Sequence, residues 1–361
     1  MAKTLKRIGS LKQKAFKENK FDGYLVFRNT NMVYLTGFSG ASALLVPKNG
    51  ESTVYVYGVN YEQAKAELGD FAVELVERGE NLMAKIAKQV KTFKIKRLAV
   101  DAPDIESWRS LSRLLRGEKR FAIDHNVIRE LRKVKDAEEI ELMRKAAELT
   151  SEGMCVACET LAAGVREYEV AAEIEYAMRK QGCSGMAFDT IVASGDYSAF
   201  PHGSCSDRKI RERDLVVVDV GATYKSYRSD MTRTFVAGEP SEKQKKLYQI
   251  VKKAQKKAFD AMKSNVKATD IDAVARKEIE DAGYGENFVH GLGHGVGLDV
   301  HEPPILSPDS QDVLAAGNVV TIEPGIYLVG YGGVRIEDTV LVQRNSVEKL
   351  TKGLYALGKK S

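Results

Sequence analysis

The sequence predicts an α+β fold in two parts: a smaller N-terminal α/β domain over residues 1–124 and a larger duplicated domain over residues 125–361. Three observations carry this. Helical and strand patterns alternate through the first part. In the second part, a plan of two helices followed by strands occurs twice, at an offset of about a hundred residues, too long for a solenoid repeat. Within that repeat two segments echo each other, Asp214-Leu-Val-Val-Val-Asp219-Val-Gly221 and Asn318-Val-Val-Thr-Ile-Glu323-Pro-Gly325.

The first part opens with an amphipathic helix over residues 3–19, whose apolar positions Leu5, Ile8, Leu11 and Ala15 share one face. A strand is expected at Asp22–Phe27. Ser42–Pro47 and Thr53–Tyr57 read as a hairpin around Lys48-Asn-Gly50. Helices are expected near 60–67, 80–91 and 105–115, with strands near 72–76, 97–100 and 121–123 between them. Asn31 to Phe38 reads as a turn-rich loop able to reach a partner or a site. No catalytic constellation falls in this domain.

Residues 124–135 read as the connector. Asp136 and Glu139 then give a capping-box signal for a helix to about Thr160, with Ile140, Met143, Ala147, Met154 and Leu161 on one face. A second helix is expected over 166–181. Ser241 and Gln244 open the repeat with another capping box. That helix runs to about Lys263, with Leu247, Ile250, Ala254, Ala258 and Met262 inward, and a further helix covers 270–282.

Composition narrows the class. The chain has 361 residues, 43% apolar and 29% charged, with 55 basic against 50 acidic side chains. That balance does not argue for nucleic acid. The eight lysines between Lys243 and Lys263 read as the solvated face of a helix, because no aromatic ladder accompanies them. No apolar run reaches the ~18–20 residues of a membrane span, and residues 1–20 lack the apolar centre of a secretory signal. The four cysteines form no disulfide framework, and Cys155-Val-Ala-Cys158 sits inside a helical pattern with no second pair at zinc spacing. A reducing, cytoplasmic location is expected.

The chemistry concentrates in the echo. Leu215–Val218 and Val319–Ile322 read as buried strands, and each is followed by a carboxylate, Asp219 and Glu323. Each is followed again by a second echo, Arg228-Ser-Asp230-Met-Thr232 and Arg335-Ile-Glu337-Asp-Thr339. Acidic side chains are rarely buried unless paired or metal-bound. If the halves pack about a pseudo-two-fold axis, the four carboxylates meet, and uncompensated they repel strongly. Two divalent cations balance four carboxylates. With one imidazole added, that is a co-catalytic di-metal site. Gly291-Leu-Gly-His294-Gly-Val-Gly297 offers the imidazole, its glycines letting the backbone approach the metals. His290 precedes it by four residues without the H-E-x-x-H pattern of a zincin helix. His202 and His301 stand 99 residues apart, close to the carboxylate offsets of 104 and 107, and read as mates of the repeat.

These motifs taken together resemble the metal-dependent Xaa-Pro peptidases of the pita-bread family, prolidase and aminopeptidase P. The resemblance rests on Val218-Asp-Val-Gly221, Ser229-Asp-Met-Thr-Arg-Thr-Phe235, His290 through His301, Thr321-Ile-Glu-Pro-Gly325 and Val334-Arg-Ile-Glu-Asp-Thr339, in that order. It is strong over residues 130–350. Tyr34-Leu-Thr-Gly-Phe38 is its clearest trace in the first domain. It implies a pita-bread catalytic domain behind a creatinase-like N-terminal domain. It implies Asp219, Asp230, His294, Glu323 and Glu337 as ligands of two divalent metals (Mn, Co, Fe or Zn), with Asp230 and Glu337 bridging. Glu323 would also carry a proton to the leaving proline nitrogen. His202, His290 and His301 would contact substrate or the developing oxyanion, and Arg335 would hold a substrate group or orient a ligand. The implied substrate is an Xaa-Pro peptide, most compactly a dipeptide, and the implied assembly is a homodimer.

Three alternatives stay open at this point. An Xaa-Pro aminopeptidase would act on longer peptides. A methionine-type aminopeptidase shares the core, but the long N-terminal domain argues against it. A non-catalytic pita-bread module would bind protein or RNA, and the intact ligand set argues against that.

Overall fold

The computed structural model describes residues 2–116 and 120–358. They divide into two compact units between Arg132 and Lys133.

The first unit runs α1 (Ala2–Lys12), which continues as a π-turn over Gln13–Glu18, then β1 (Gly23–Val26) and α2 (Asn29–Thr36). The β2–β3 hairpin (Ala43–Pro47, Thr53–Tyr57), α3 (Gly58–Glu67) and β4 (Ala72–Val76) follow. The unit ends with α4 (Leu82–Thr92), β5 (Arg97–Val100), α5 (Ile105–Leu114), β6 (Arg120–Ile123) and α6 (Val127–Lys133). The strands form one mixed sheet in the order β4-β3-β2-β1-β5-β6. Leu25, Leu45, Leu98 and Val100 from the sheet pack with Ile86, Val90 and Leu111 from the helices.

One expectation needs correction here. Residues 31–36, read as loop, belong to the helix α2, in which Met32, Tyr34 and Leu35 are buried. Its polar residue Asn31 goes inside because its amide donates to Asp101 Oδ2 at 3.0 Å and its carbonyl accepts from Arg132 Nη1 at 2.8 Å. The helix stops at Gly37, whose φ of 79° is the left-handed cap that glycine adopts without strain. That glycine was the available signal for a helix end. Residues 124–135, expected as the connector, contain α6.

The second unit begins with α7 (Ala137–Thr160) and α8 (Glu167–Lys180), followed by β7 (Gly185–Met186) and β8 (Ile191–Ser194). Next come β9 (Leu215–Val220), the hairpin β10–β11 (Ala222–Tyr224, Tyr227–Arg228) and β12 (Met231–Val236). The plan then recurs. Helices α9 (Glu242–Ala261) and α10 (Ala268–Asp281) precede β13 (Gly293–Gly295), β14 (Glu302–Leu306) and β15 (Val319–Ile322). The hairpin β16–β17 (Gly325–Leu328, Gly332–Arg335), β18 (Asp338–Val342) and β19 (Val347–Lys349) complete it.

Both capping boxes form: Asp136 and Glu139 exchange side-chain and backbone bonds at the start of α7, and Ser241 and Gln244 do so at α9. Met143, Ala147, Met154 and Leu161 are buried as their spacing requires, as are Leu247, Ala254, Ala258 and Met262. Each half therefore has its own core. The sheets are β12-β9-β8 and β11-β10-β7 in the first half, and β14-β13-β15-β18-β19 and β16-β17 in the second. The cysteines are free, and Cys155 and Cys158 lie on α7. No described helix is long and apolar enough to cross a membrane.

Candidate active site

The carboxylates come from corresponding places in the two halves. Asp219 lies near the end of β9, and Glu323 directly follows β15. Asp230 directly precedes β12, and Glu337 directly precedes β18. His294 is the middle residue of β13. All five line one cavity of about 670 Å³, together with His202, His290, His301 and Arg335. The nine candidate site residues thus line one cavity.

The donor atoms converge. Ligating atoms of Asp230, His294 and Glu337 lie within 4.8 Å of one another. His294 Nε2 is 3.3 Å from Glu323 Oε1 and 3.8 Å from Asp230 Oδ2. Its Nδ1 lies 3.1 Å from the carbonyl of Gly295, which only accepts, so the proton sits on Nδ1 and the Nε2 lone pair faces the carboxylates. Burial and the nearby His301 hold His294 neutral, with its pKa down at about 3.

The carboxylates are under electrostatic pressure. Burial raises the pKa of Glu323 to about 8, with Asp219 adding to the rise. Burial followed by the neighbouring carboxylates also raises Asp230 and Glu337 well above the usual range. Three buried oxygens, Asp219 Oδ1, Asp230 Oδ1 and Glu337 Oε1, have no hydrogen-bond partner. Unpartnered buried acceptors are costly. Cations among them would relieve both the repulsion and the missing bonds, so the residues present fit divalent metals, and oxygen donors with one imidazole suit such ions.

Arg335 is buried behind the cluster. Its Nη2 donates to Asp219 Oδ2 at 2.8 Å, its Nη1 to Tyr327 Oη at 3.0 Å and to Pro201 O at 3.1 Å, and its Nε to Thr232 Oγ1 at 3.1 Å. Of the two roles considered, its bond to Asp219 fits the one in which it would orient a ligand. Tyr327 Oη is also 2.9 Å from His290 Nε2, while His290 Nδ1 bonds Gly291 O at 2.7 Å. Burial, then the charge of Arg335, brings the His290 pKa to about 4, so its neutral ring accepts from the tyrosine. His301 stacks edge-on against His294 with ring centroids 4.3 Å apart, and both it and His202 are exposed on the cavity wall.

The second helix of each half steadies the histidine loops. In the first half, the buried Glu167 carboxylate accepts from the backbone N–H groups of Ser194 and Ser206, at 2.8 and 2.9 Å, on either side of His202. In the second, Asp272 accepts from Leu292 N at 2.9 Å, and Arg276 Nη2 donates to His290 O at 2.8 Å.

The glycines around His294 mark close approaches between strands. A side chain at Gly293 would meet Thr321 O at 2.2 Å, and one at Gly295 would meet Pro303 O at 2.4 Å. They let β13 run close against its neighbouring strands, so the close approach is backbone to backbone. Tyr327 was not found from the sequence. Its only signal is the Gly-x-Tyr of Gly325-Ile-Tyr327, since a side chain at Gly325 would lie 2.6 Å from the Tyr327 hydroxyl. The apolar walls, Phe188, Ile191, Val300 and Ile305, were also not anticipated.

Comparison with known proteins accords with this geometry. Residues 141–344 match metallopeptidase family M24, and residues 7–134 match the creatinase/prolidase N-terminal domain. The chain belongs to metallopeptidase family M24. Among its M24 relatives, the Xaa-Pro dipeptidase of Pyrococcus furiosus is 43% identical over 343 residues, covering 94% of this chain and 96% of that protein. The solved Xaa-Pro dipeptidase from Bacillus anthracis aligns at a TM-score of 0.93 and 36% identity, over 98% of this chain and 99% of that one. The prolidase of Pyrococcus horikoshii OT3 aligns at 0.91 and 40% identity, over 98% and 99% of the two chains. The pita-bread fold and the hydrolase class follow from the M24 membership. So does a dependence on divalent metal ions, for which the carboxylate and histidine cluster provides.

Proposed function

We propose that this protein is a prolidase, hydrolysing the Xaa-Pro bond of dipeptides with two divalent metal ions held by Asp219, Asp230, His294, Glu323 and Glu337. The observation that carries this reading is the gathering of four carboxylates and one imidazole in one cavity, with Asp230, His294 and Glu337 at ligating distance of one another and three buried carboxylate oxygens left without partners. Relatives named Xaa-Pro dipeptidase, matched over nearly their whole length, support the substrate class. An oxygen-rich set with one imidazole accepts Mn, Co, Fe or Zn.

Bound metals supply Lewis-acid polarisation of the scissile carbonyl and lower the pKa of water. The chain's own groups do the rest. Asp230 and Glu337, at the buried centre, each offer two oxygens and suit a bridging role. His294 presents the Nε2 lone pair. Arg335 fixes Asp219 through Nη2, so that one aspartate oxygen stays aimed into the cluster. Glu323 is the group suited to carrying a proton, because the leaving proline nitrogen must be protonated and burial has already raised this carboxyl towards neutrality. His301 and His202 stand on the wall where a carbonyl oxygen or a terminal carboxylate would lie, and both can donate hydrogen bonds. His290, locked by Gly291 and Tyr327, shapes the wall beside them.

The test is hydrolysis of Gly-Pro-type dipeptides against Xaa-Pro tripeptides with added Mn or Co. Preference for the dipeptide is expected. Faster cleavage of the longer peptides would move the protein to the aminopeptidase P activity, and no cleavage of either with metal bound would end the peptidase reading. Sedimentation of the same samples tests the expected homodimer.

A further inference from the structure

A second buried polar cluster lies behind the carboxylates, and nothing in the chemistry above uses it. Asp338 is fully buried, and its carboxylate accepts five bonds. Oδ1 takes Arg233 Nη2 at 2.9 Å and Thr351 Oγ1 at 3.0 Å. Oδ2 takes Tyr355 Oη at 2.5 Å, Lys349 Nζ at 3.0 Å and Gln255 Nε2 at 3.1 Å. Arg233 and Gln255 are each only 1% exposed.

Both reach onward to the same backbone. Arg233 Nη1 donates to Glu337 O at 2.6 Å and to Thr232 O at 2.9 Å, one carbonyl from each half of the repeat. Gln255 Nε2 lies 3.1 Å from Ile322 O and 3.3 Å from Ile336 O. Those carbonyls immediately precede Glu323 and Glu337. The two N–H bonds of one amide are therefore shared among Asp338 and the two peptide units from which both glutamates hang.

Stability alone does not call for this arrangement. Gln255 interrupts the apolar face of α9, between Val251, Ala254 and Ala258. Buried ion pairs are often no better than apolar packing of the same volume. What an apolar side chain could not do is fix the distance between two strand ends.

We infer that Gln255, held by Asp338 and Tyr355 and assisted by Arg233, is a positioning residue that sets the spacing of Glu323 and Glu337 for metal binding. This rests on the metal reading above. Groups that orient metal ligands from outside typically change affinity by about 10–100-fold when removed.

The experiment is calorimetric titration of Mn into chelated protein, for wild type, Gln255→Met and Val251→Ala. Gln255→Met keeps the volume and removes the donors. Val251→Ala leaves a cavity on the same helix and lowers the melting temperature without touching the two carbonyls. The expected result is a Kd raised about 10–100-fold in Gln255→Met, with Val251→Ala binding Mn as wild type does. A wild-type Kd in Gln255→Met, or an equal loss in Val251→Ala, overturns the inference. Should Gln255→Met not fold, Tyr355→Phe decides. It removes only the hydroxyl lying 3.1 Å from Gln255 Oε1 and 2.5 Å from Asp338 Oδ2, and an unchanged Kd there overturns the inference equally. If wild type binds no divalent metal at all, the metal reading itself falls and this inference falls with it. If wild type binds and Gln255→Met binds as tightly, only this inference fails.

Discussion

Thr232 Oγ1 donates to Glu337 Oε2 at 2.6 Å, joining a strand of the first half to a ligand candidate of the second. Its mate Thr339 returns the favour, donating from Oγ1 to Asp230 O at 2.7 Å. The backbone N–H of Glu337 also bonds Thr232 O at 3.0 Å. The threonine in each Asp-x-Thr or Glu-x-Thr echo thus serves the acidic residue of the other half, Thr232 through the Glu337 carboxylate and Thr339 through the Asp230 backbone.

Thr232→Val keeps the shape and removes the hydroxyl from both Glu337 and Arg335. Leaving a buried acceptor short of a donor costs about 1–3 kcal/mol. The expected outcome is a lower melting temperature and a weaker metal Kd, read by thermal denaturation and metal titration. A variant with wild-type values on both counts would show the hydroxyl to be incidental.

Metal removal should bind stability to pH in a definite direction. In the metal-free protein, burial and neighbouring carboxylates raise Asp230, Glu323 and Glu337 above their unfolded values. The folded state then holds more protons than the unfolded one from about pH 4.5, the unperturbed value for Glu323, to about pH 8, its raised value. Its stability falls as pH rises through that window. Metal ions displace those protons, so the stabilisation they give grows with pH. Melting curves of chelated and Mn-loaded protein, taken across the window, should diverge towards alkaline pH. Parallel curves would mean the carboxylates do not hold the metal.

His301 and His294 touch edge to edge but should fail differently. His301→Ala is expected to keep its metals and lose on the order of 10²–10³ in kcat, the usual cost of one oxyanion donor. His294→Ala should lose metal affinity as well. Metal stoichiometry and kcat for both variants separate the roles. Metal loss in His301→Ala would make it a ligand, and wild-type kcat would make it merely structural.

Gly293→Ala should be destabilising out of proportion to one methyl group. The added carbon would sit 2.2 Å from the Thr321 carbonyl, which belongs to the backbone of β15 and cannot rotate away. Overpacking typically costs about 1–3 kcal/mol, and a backbone collision belongs at the upper end. Gly37→Ala tests the contrast, because nothing lies within 4 Å of the added carbon there and only its φ of 79° resists substitution. Urea denaturation should rank Gly293→Ala as the more damaging.

Much of this was legible in the sequence because burial of acid is so restricted. Asp219 and Glu323 each close a run of β-branched residues, and only a shared centre explains both. The capping boxes at Asp136 and Ser241 marked where each half begins. What was not legible depended on contacts between distant segments. Asn31 looked like a loop residue because its partners, Asp101 and Arg132, lie 70 and 101 positions away. Tyr327 gave no sign of touching His290 and Arg335, since strand alternation shows a face but not what crosses it. The glycines around His294 were read correctly as marks of close approach, but the neighbour they admit is the carbonyl of another strand.

The division of the donors between two half-repeats has a kinetic consequence. Asp219 and Asp230 come from the first half; His294, Glu323 and Glu337 come from the second. Neither half carries the whole set, so the centre would be complete only once the two have docked. An ion that recognises only the finished arrangement cannot hasten the steps that precede it. It should leave the refolding rate where it was and lengthen the lifetime of the native state, acting as a latch set after the door has closed.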